Sequence, residues 1–190
     1  MVLVSSQDIC LNRWILTAAH CTQGKSASGI QALLGEHDYQ DTTETTTVRM
    51  GISKIENHPD YNNENLNYDF SLLKMEETIS FFDYLHIRPI CLPVDATNDY
   101  HGFVATVTGW GNLASNQPGG TNKLREVDVK VLKNSECKND YGYPSNAITN
   151  QMLCANVQGG GKDSCQKDSG KKKVMIIDLL QRKNVILSCF

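Results

Sequence analysis

Short runs rich in Val, Ile, Thr and aromatic residues recur along the chain: "RWILTAAHC" (13–21), "TTTVRMGISKIENHP" (45–59), "DFSLLKM" (69–75), "GFVATVTGWG" (102–111) and "LREVDVKVL" (124–132). Turn-forming clusters separate them, namely "HPDYNNENLN", "SNQPGGTN" and "NVQGGGKDS". Short β-type runs at this spacing predict an all-β sandwich or a pair of barrels. One short helix is predicted at "NSECKNDYG" (134–142), with Asn134 or Ser135 as its cap and Glu136 in its first turn. No internal repeat is visible. The Pro-punctuated "RPICLPVDATND" (88–99) reads as a crossing between two halves, 1–92 and 93–190. From Lys171 the texture changes to a lysine cluster, then "VMIIDLL", "QRKN" and "VILSCF", a pattern that predicts a β-hairpin with a polar turn.

Composition removes several classes of function. The net charge of −3 offers no basic field for nucleic acid. No apolar run is long enough to span a membrane. The start "MVLVSSQDIC" lacks the basic and long apolar regions of a signal peptide. Seven cysteines in 190 residues imply disulfides and an extracellular, secreted origin. None lies in a C-x-x-C pair with a matching partner, so zinc is not expected. The odd number leaves at least one thiol without an intrachain partner.

Three groups carry chemistry. His20 follows a strand in "WILTAAHC", Asp69 precedes an apolar strand in "NYDFSLLK", and Ser169 lies in the glycine-containing "KDSCQKDSG". Alone, each has an ordinary explanation: a strand-end histidine, a turn aspartate, a loop serine. Together they have the composition and chain order of a nucleophilic triad. A serine hydroxyl needs a base within hydrogen-bond reach, and the base needs an orienting carboxylate.

With "RPICLP", "VTGWGN", "MLCANVQGGGKDSCQKDSG" and the connecting "LGEHD" and "ENHPDYN", these segments run in order from Trp14 to Gly170. The chain resembles a trypsin-like serine protease of the chymotrypsin family. The resemblance implies two Greek-key antiparallel β-barrels with the active site in the crevice between them. The first barrel, 1–92, would carry His20 and Asp69, and the second, 93–190, Ser169 and Asp163, together forming one peptidase domain. His20 is implied as general base, Asp69 as orienting acid and Ser169 as nucleophile, with backbone N–H groups of Lys167 and Ser169 as the oxyanion hole. Asp163 is implied at the base of the specificity pocket, with Gln166 also binding substrate. Polypeptides with Arg or Lys at the cleaved bond would be the substrates, and protein protease inhibitors would be further partners. Cys137 and Cys154 match a family disulfide. "LGEHD" with Glu44 resembles the family's calcium loop, but threonines replace its paired acid, so no metal or other cofactor is expected.

Departures from the family pattern lie at the ends and around the nucleophile. The family's N-terminal strand pair and activation site, its last strands and its closing helix are absent, which implies incomplete barrels. On that expectation Asp168 would meet no N-terminal amine, and "QDICLN" resembles an insertion before Trp14. Cys91 resembles the position that tethers an upstream propeptide or light chain, and Cys165 would lack its family partner. Lys167 stands where the family has the glycine of the oxyanion loop, and Lys171 and Lys172 where it has glycine and proline. The expectation is a trypsin-like endopeptidase, impaired in this chain. The alternatives are an inactive homologue acting as a binding or regulatory module, and a non-functional splice or gene-model fragment.

Overall fold

The structure is a computed structural model that describes residues 2–5, 12–44, 46–91, 98–111, 120–140, 143–144, 146–156, 175–177 and 185–186. The chain divides into two compact units, the first from Met1–Leu92 with Asn122–Leu124, the second from Pro93–Thr121 and Arg125–Ser188. Both are built on β-sheets, as a trypsin-like two-barrel fold requires.

The first unit contains β1 (Val2–Ser5), β2 (Trp14–Thr17), the single-turn helix α1 (Ala19–Thr22), β3 (Gln31–Leu34), β4 (Val48–Asn57), β5 (Ser71–Met75) and β6 (Ile90–Cys91). They form one sheet in the order β3-β4-β5-β2-β1-β6. Period-2 alternation sets its inner face: Ser71, Leu73 and Met75 of β5 point inward, while Leu72 and Lys74 stay partly exposed. Leu73 and Met75 join Ile15, Ala32, Leu34, Ile52, Ile79 and Ile87 in one core. Each large side chain buried there contributes about 1.5–3 kcal/mol.

The β4–β5 register shifts between Ile52 and Lys54. Ser53 fills this bulge and directs its hydroxyl at Lys74 O, 3.1 Å away, and Met75 O, 3.3 Å away. Of "QDICLN", only Asn12 is described. Asn12 and Arg13 tie this approach to the end of β5: Asn12 Nδ2 donates to Ile79 O at 3.0 Å and Arg13 Nε to Met75 O at 2.8 Å. Gly35, with φ of 77°, follows β3 where a Cβ would stand 2.6 Å from His86 Nε2. Both the backbone conformation and the close approach require glycine there.

The second unit contains β7 (Val104–Gly109), β8 (Arg125–Leu132), α2 (Asn134–Asp140), β9 (Leu153–Asn156), β10 (Met175–Ile177) and β11 (Val185–Ile186), with sheet order β10-β9-β8-β7-β11. Val129 and Val131 of β8 enter a core with Tyr100, Val107, Leu153 and Ala155, and Asp128 and Lys130 alternate outward. The helix at 134–140 forms as expected, but Asn134 does not serve as its side-chain cap. Its amide donates to Thr149 O at 3.0 Å and Met152 O at 2.8 Å, tying α2 to the approach to β9. Glu136 instead reaches back to Lys133 N at 3.3 Å, as the third helical residue does in a capping box.

The tail differs from the sequence expectation. β10 and β11 do not pair as a hairpin. β10 adds antiparallel to β9 with Ile176 opposite Cys154, and β11 adds parallel to β7 with Val185 opposite Val107. Unpaired strand edges on β9 and β7 supply partners that compete with hairpin closure. A second parallel pair joins β1 to β6, with Val4 opposite Ile90. Parallel pairing needs a long crossover, and most of the first unit supplies it.

Cys137 and Cys154 form a disulfide across 17 residues, and both are fully buried. Together with Ile148 and Met152 they make a second small core under α2. Replacing both cysteines by alanine is expected to lower stability by about 3 kcal/mol. Urea unfolding without reductant reads this as a lower midpoint. An unchanged midpoint would show that the bridge constrains nothing the fold needs. Cys21 is also disulfide-bonded.

Candidate active site

β2 and β5 run antiparallel with Thr17 opposite Ser71. That register brings the residues just after β2 beside those just before β5. Ala18 is still extended, with φ of −77° and ψ of 140°, and α1 then turns back, placing His20 in its middle. On the other side, Asp69 is the central residue of a three-residue turn closed by Phe70 N–H donating to Tyr68 O at 2.8 Å. Tyr68 has a φ of 55° and Leu66 one of 57°, so this approach winds tightly.

The two residues meet at two points. His20 N–H donates to Asp69 Oδ1 at 2.8 Å, and His20 Nδ1 lies 2.5 Å from Asp69 Oδ2. The backbone contact orients the carboxylate and the ring contact uses its second oxygen. Nδ1 therefore carries the proton in the neutral ring, and Nε2 is the basic nitrogen. The Asp69 side chain is 15 % exposed and that of His20 is 45 % exposed, so the carboxylate is the more shielded of the two. Burial, and secondarily the charge of Asp69, push the Tyr61 phenol above its usual range. Ser71 Oγ, two residues beyond Asp69, is fully buried with no hydrogen-bond partner among the described residues.

Ser169, Asp163, Gln166 and Lys167 lie outside the described residues. The second layer around the pair was not legible as such in the sequence. Thr22, buried at the end of α1, directs its hydroxyl at Asn57 Oδ1, 2.6 Å away. His58 stacks on Tyr68. The one signal is the His-Pro dipeptide at a strand end, which by type marks a turn.

The acidic groups of the loop after β3 are engaged by partners within the loop and by Lys123. Glu36 accepts from His37 N–H at 3.1 Å and Thr47 Oγ1 at 3.0 Å. Asp38 accepts from Gln40 N–H at 2.9 Å and pairs with Lys123 at 3.5 Å, and His37 pairs with Glu44 at 3.4 Å. No group of three or more potential metal ligands is assembled among the described residues. No helix among them is long and apolar enough to cross a membrane.

Comparison with known proteins identifies the family. The family model described as Trypsin matches residues 9–171. The chain is 36% identical over 157 residues to Trypsin-2 of Salmo salar, an overlap covering 83% of this chain and 62% of that protein. It is 38% identical over 162 residues to Serine proteinase stubble of Drosophila melanogaster, covering 83% of this chain and 20% of that protein. With Venom serine protease Bi-VSP of Bombus ignitus it shares 36% identity over 164 residues, covering 84% and 44% respectively. The chain thus spans less than two thirds of the length of each of these relatives. The matched span includes both His20 and Asp69 and most of the sheet that joins them, and the chain belongs to the trypsin family of serine proteases.

Proposed function

We propose that this chain is a serine endopeptidase domain of trypsin-like specificity whose turnover is weakened by Lys167. The two-point attachment of Asp69 to His20 carries the reading. It is the arrangement an imidazole needs to act as a general base in a defined tautomer. Residues 1–92 supply the base and its acid, and residues 93–190 supply Ser169 and Asp163. His20 Nε2 takes the Ser169 hydroxyl proton as Oγ bonds to the scissile carbonyl carbon. The oxyanion is received by backbone N–H groups of Lys167 and Ser169. The C–N bond then breaks, His20 returns the proton to the leaving amine, and water hydrolyses the serine ester by the same route. Asp163, with Gln166 beside it, selects Arg or Lys.

Polypeptides with Arg or Lys at the cleaved bond, and protein inhibitors presenting the same side chain, are the partners of this site. Cys91 would join the domain to an upstream propeptide or light chain in a parent protein. The disulfides fit an extracellular setting. A second reading, a non-catalytic binding module that kept the fold, is favoured by Lys167, Lys171 and Lys172 in the nucleophile loop.

Incubation of the 190-residue chain with a fluorophosphonate, followed by peptide mass mapping, separates the two. The enzyme reading expects an adduct on Ser169 that His20→Ala abolishes, and faster cleavage of Arg than of Phe esters. No adduct on Ser169 would leave the binding module as the reading. Preference for Phe esters would remove Asp163 from the pocket.

A further inference from the structure

The last residue of β4 and the residue after it each hold one member of the His20–Asp69 pair. Asn57 Oδ1 accepts from Thr22 Oγ1 at 2.6 Å, and Thr22 closes the single turn that carries His20. His58 N–H donates to Phe70 O at 3.1 Å. The His58 ring stacks on Tyr68, with centroids 4.6 Å apart and planes 3° from parallel. Its other contact is edge-on to Phe70, 4.5 Å between centroids. Tyr68 and Phe70 are the two neighbours of Asp69, so one ring grips both sides of the turn that presents the carboxylate. Asp60 N–H donates to His58 Nδ1 at 3.1 Å, which fixes the ring's orientation.

Neither half of the pair is stable by itself. A one-turn helix has too few internal hydrogen bonds to persist alone. The turn at Asp69 follows two non-glycine residues with positive φ, conformations that last only where surroundings impose them. β4, ten residues long and hydrogen-bonded to strands on both sides, is the rigid element common to both. We infer that Asn57 and His58 are positioning residues that act as a two-armed clamp: Asn57 sets the place of α1, His58 sets the place of the Asp69 turn, and together they fix the Nδ1–Oδ2 separation. The kinetic consequence rests on the proposed protease function. The clamp itself does not.

The test has a spectroscopic and a kinetic arm, both on the full 190-residue chain. The proton held between His20 Nδ1 and Asp69 Oδ2 should give a far-downfield proton NMR signal, assigned by its loss in His20→Ala. His58→Ala is expected to abolish that signal. His58→Phe, which keeps both ring contacts, restores it. His58→Asn, which keeps an acceptor for Asp60 N–H but no ring, does not. Thr22→Val and Asn57→Ala each broaden the signal, and the double variant is no worse than either, because both break one link. In the kinetic arm, phosphonylation by the fluorophosphonate, with loss of fluoride, falls by up to about a hundredfold in His58→Ala, the scale expected of a misplaced catalytic group, and recovers in His58→Phe.

If His58→Ala does not fold, the contrast between Phe and Asn at this position carries the test alone. A signal that survives His58→Ala, or that Asn restores and Phe does not, overturns the ring clamp. A chain that is never phosphonylated, yet whose signal follows the Phe and Asn variants as stated, would refute the protease reading and leave the clamp standing.

Discussion

Asp69→Asn is expected to lower acylation of the chain by about ten-thousandfold, the scale of the same change in the serine-protease triad. The local geometry says why so small a change has so large an effect. Asp69 uses both oxygens on His20, one for the backbone N–H at 2.8 Å and one for Nδ1 at 2.5 Å. An asparagine has one oxygen, and the His20 backbone N–H can only donate, so it claims that oxygen. The amide NH2 is then turned toward Nδ1, which must accept rather than donate. The imidazole is forced to carry its proton on Nε2, the nitrogen that receives the nucleophile's proton under the proposed function. Protein stability should change little, since the side chain keeps its shape. The measurement is the rate of acylation by an Arg ester, or of phosphonylation by a fluorophosphonate, beside a thermal melt. A loss of less than about tenfold, with the melt unchanged, would mean that His20 does not act through Asp69, because a wrong tautomer cannot be that mild.

Lys167→Gly should act in the opposite direction and raise turnover of Arg esters by about a hundredfold or more, the scale associated with one oxyanion donor. Lysine retains the backbone N–H but adds a Cβ, and with it a penalty for the conformations that glycine adopts freely. Under the proposed function, that penalty would hold the N–H away from the developing oxyanion. Because the oxyanion forms only in the transition state, the gain should appear in kcat with KM nearly unchanged. Equal gains through KM would place Lys167 in substrate binding instead. No gain in a chain whose Ser169 still accepts the fluorophosphonate would show that the lysine loop already presents its donor well.

Much of this protein is legible in one dimension. Period-2 patterns such as V-D-V-K-V of β8 mark which residues turn inward, because alternation is a property of the strand itself. His20, Asp69, and the cysteines at 137 and 154 stand in motifs whose identity needs no coordinates. The helix at 134–140 announces itself through Glu136, whose reach back to Lys133 N spans only three residues. Local interactions of this kind are encoded where they act.

What the sequence could not decide is which of several competent partners a group takes. The tail pattern allows a hairpin, yet its strands pair with β9 and β7, since an open sheet edge competes with a neighbour in sequence for the same hydrogen bonds. Asn134 is a good cap by type, but two carbonyls 15 and 18 residues away claim its amide. Beyond the His-Pro dipeptide, the sequence does not show what Asn57 and His58 touch, because Thr22 and Phe70 reach them only through the registers of β2, β4 and β5. The sequence by itself determined the residue types, the alternation and the family. The tertiary structure alone decided that His20 and Asp69, 49 residues apart, meet at 2.5 Å, because a distance of that kind is set by the register of rigid strands and by no property of either residue.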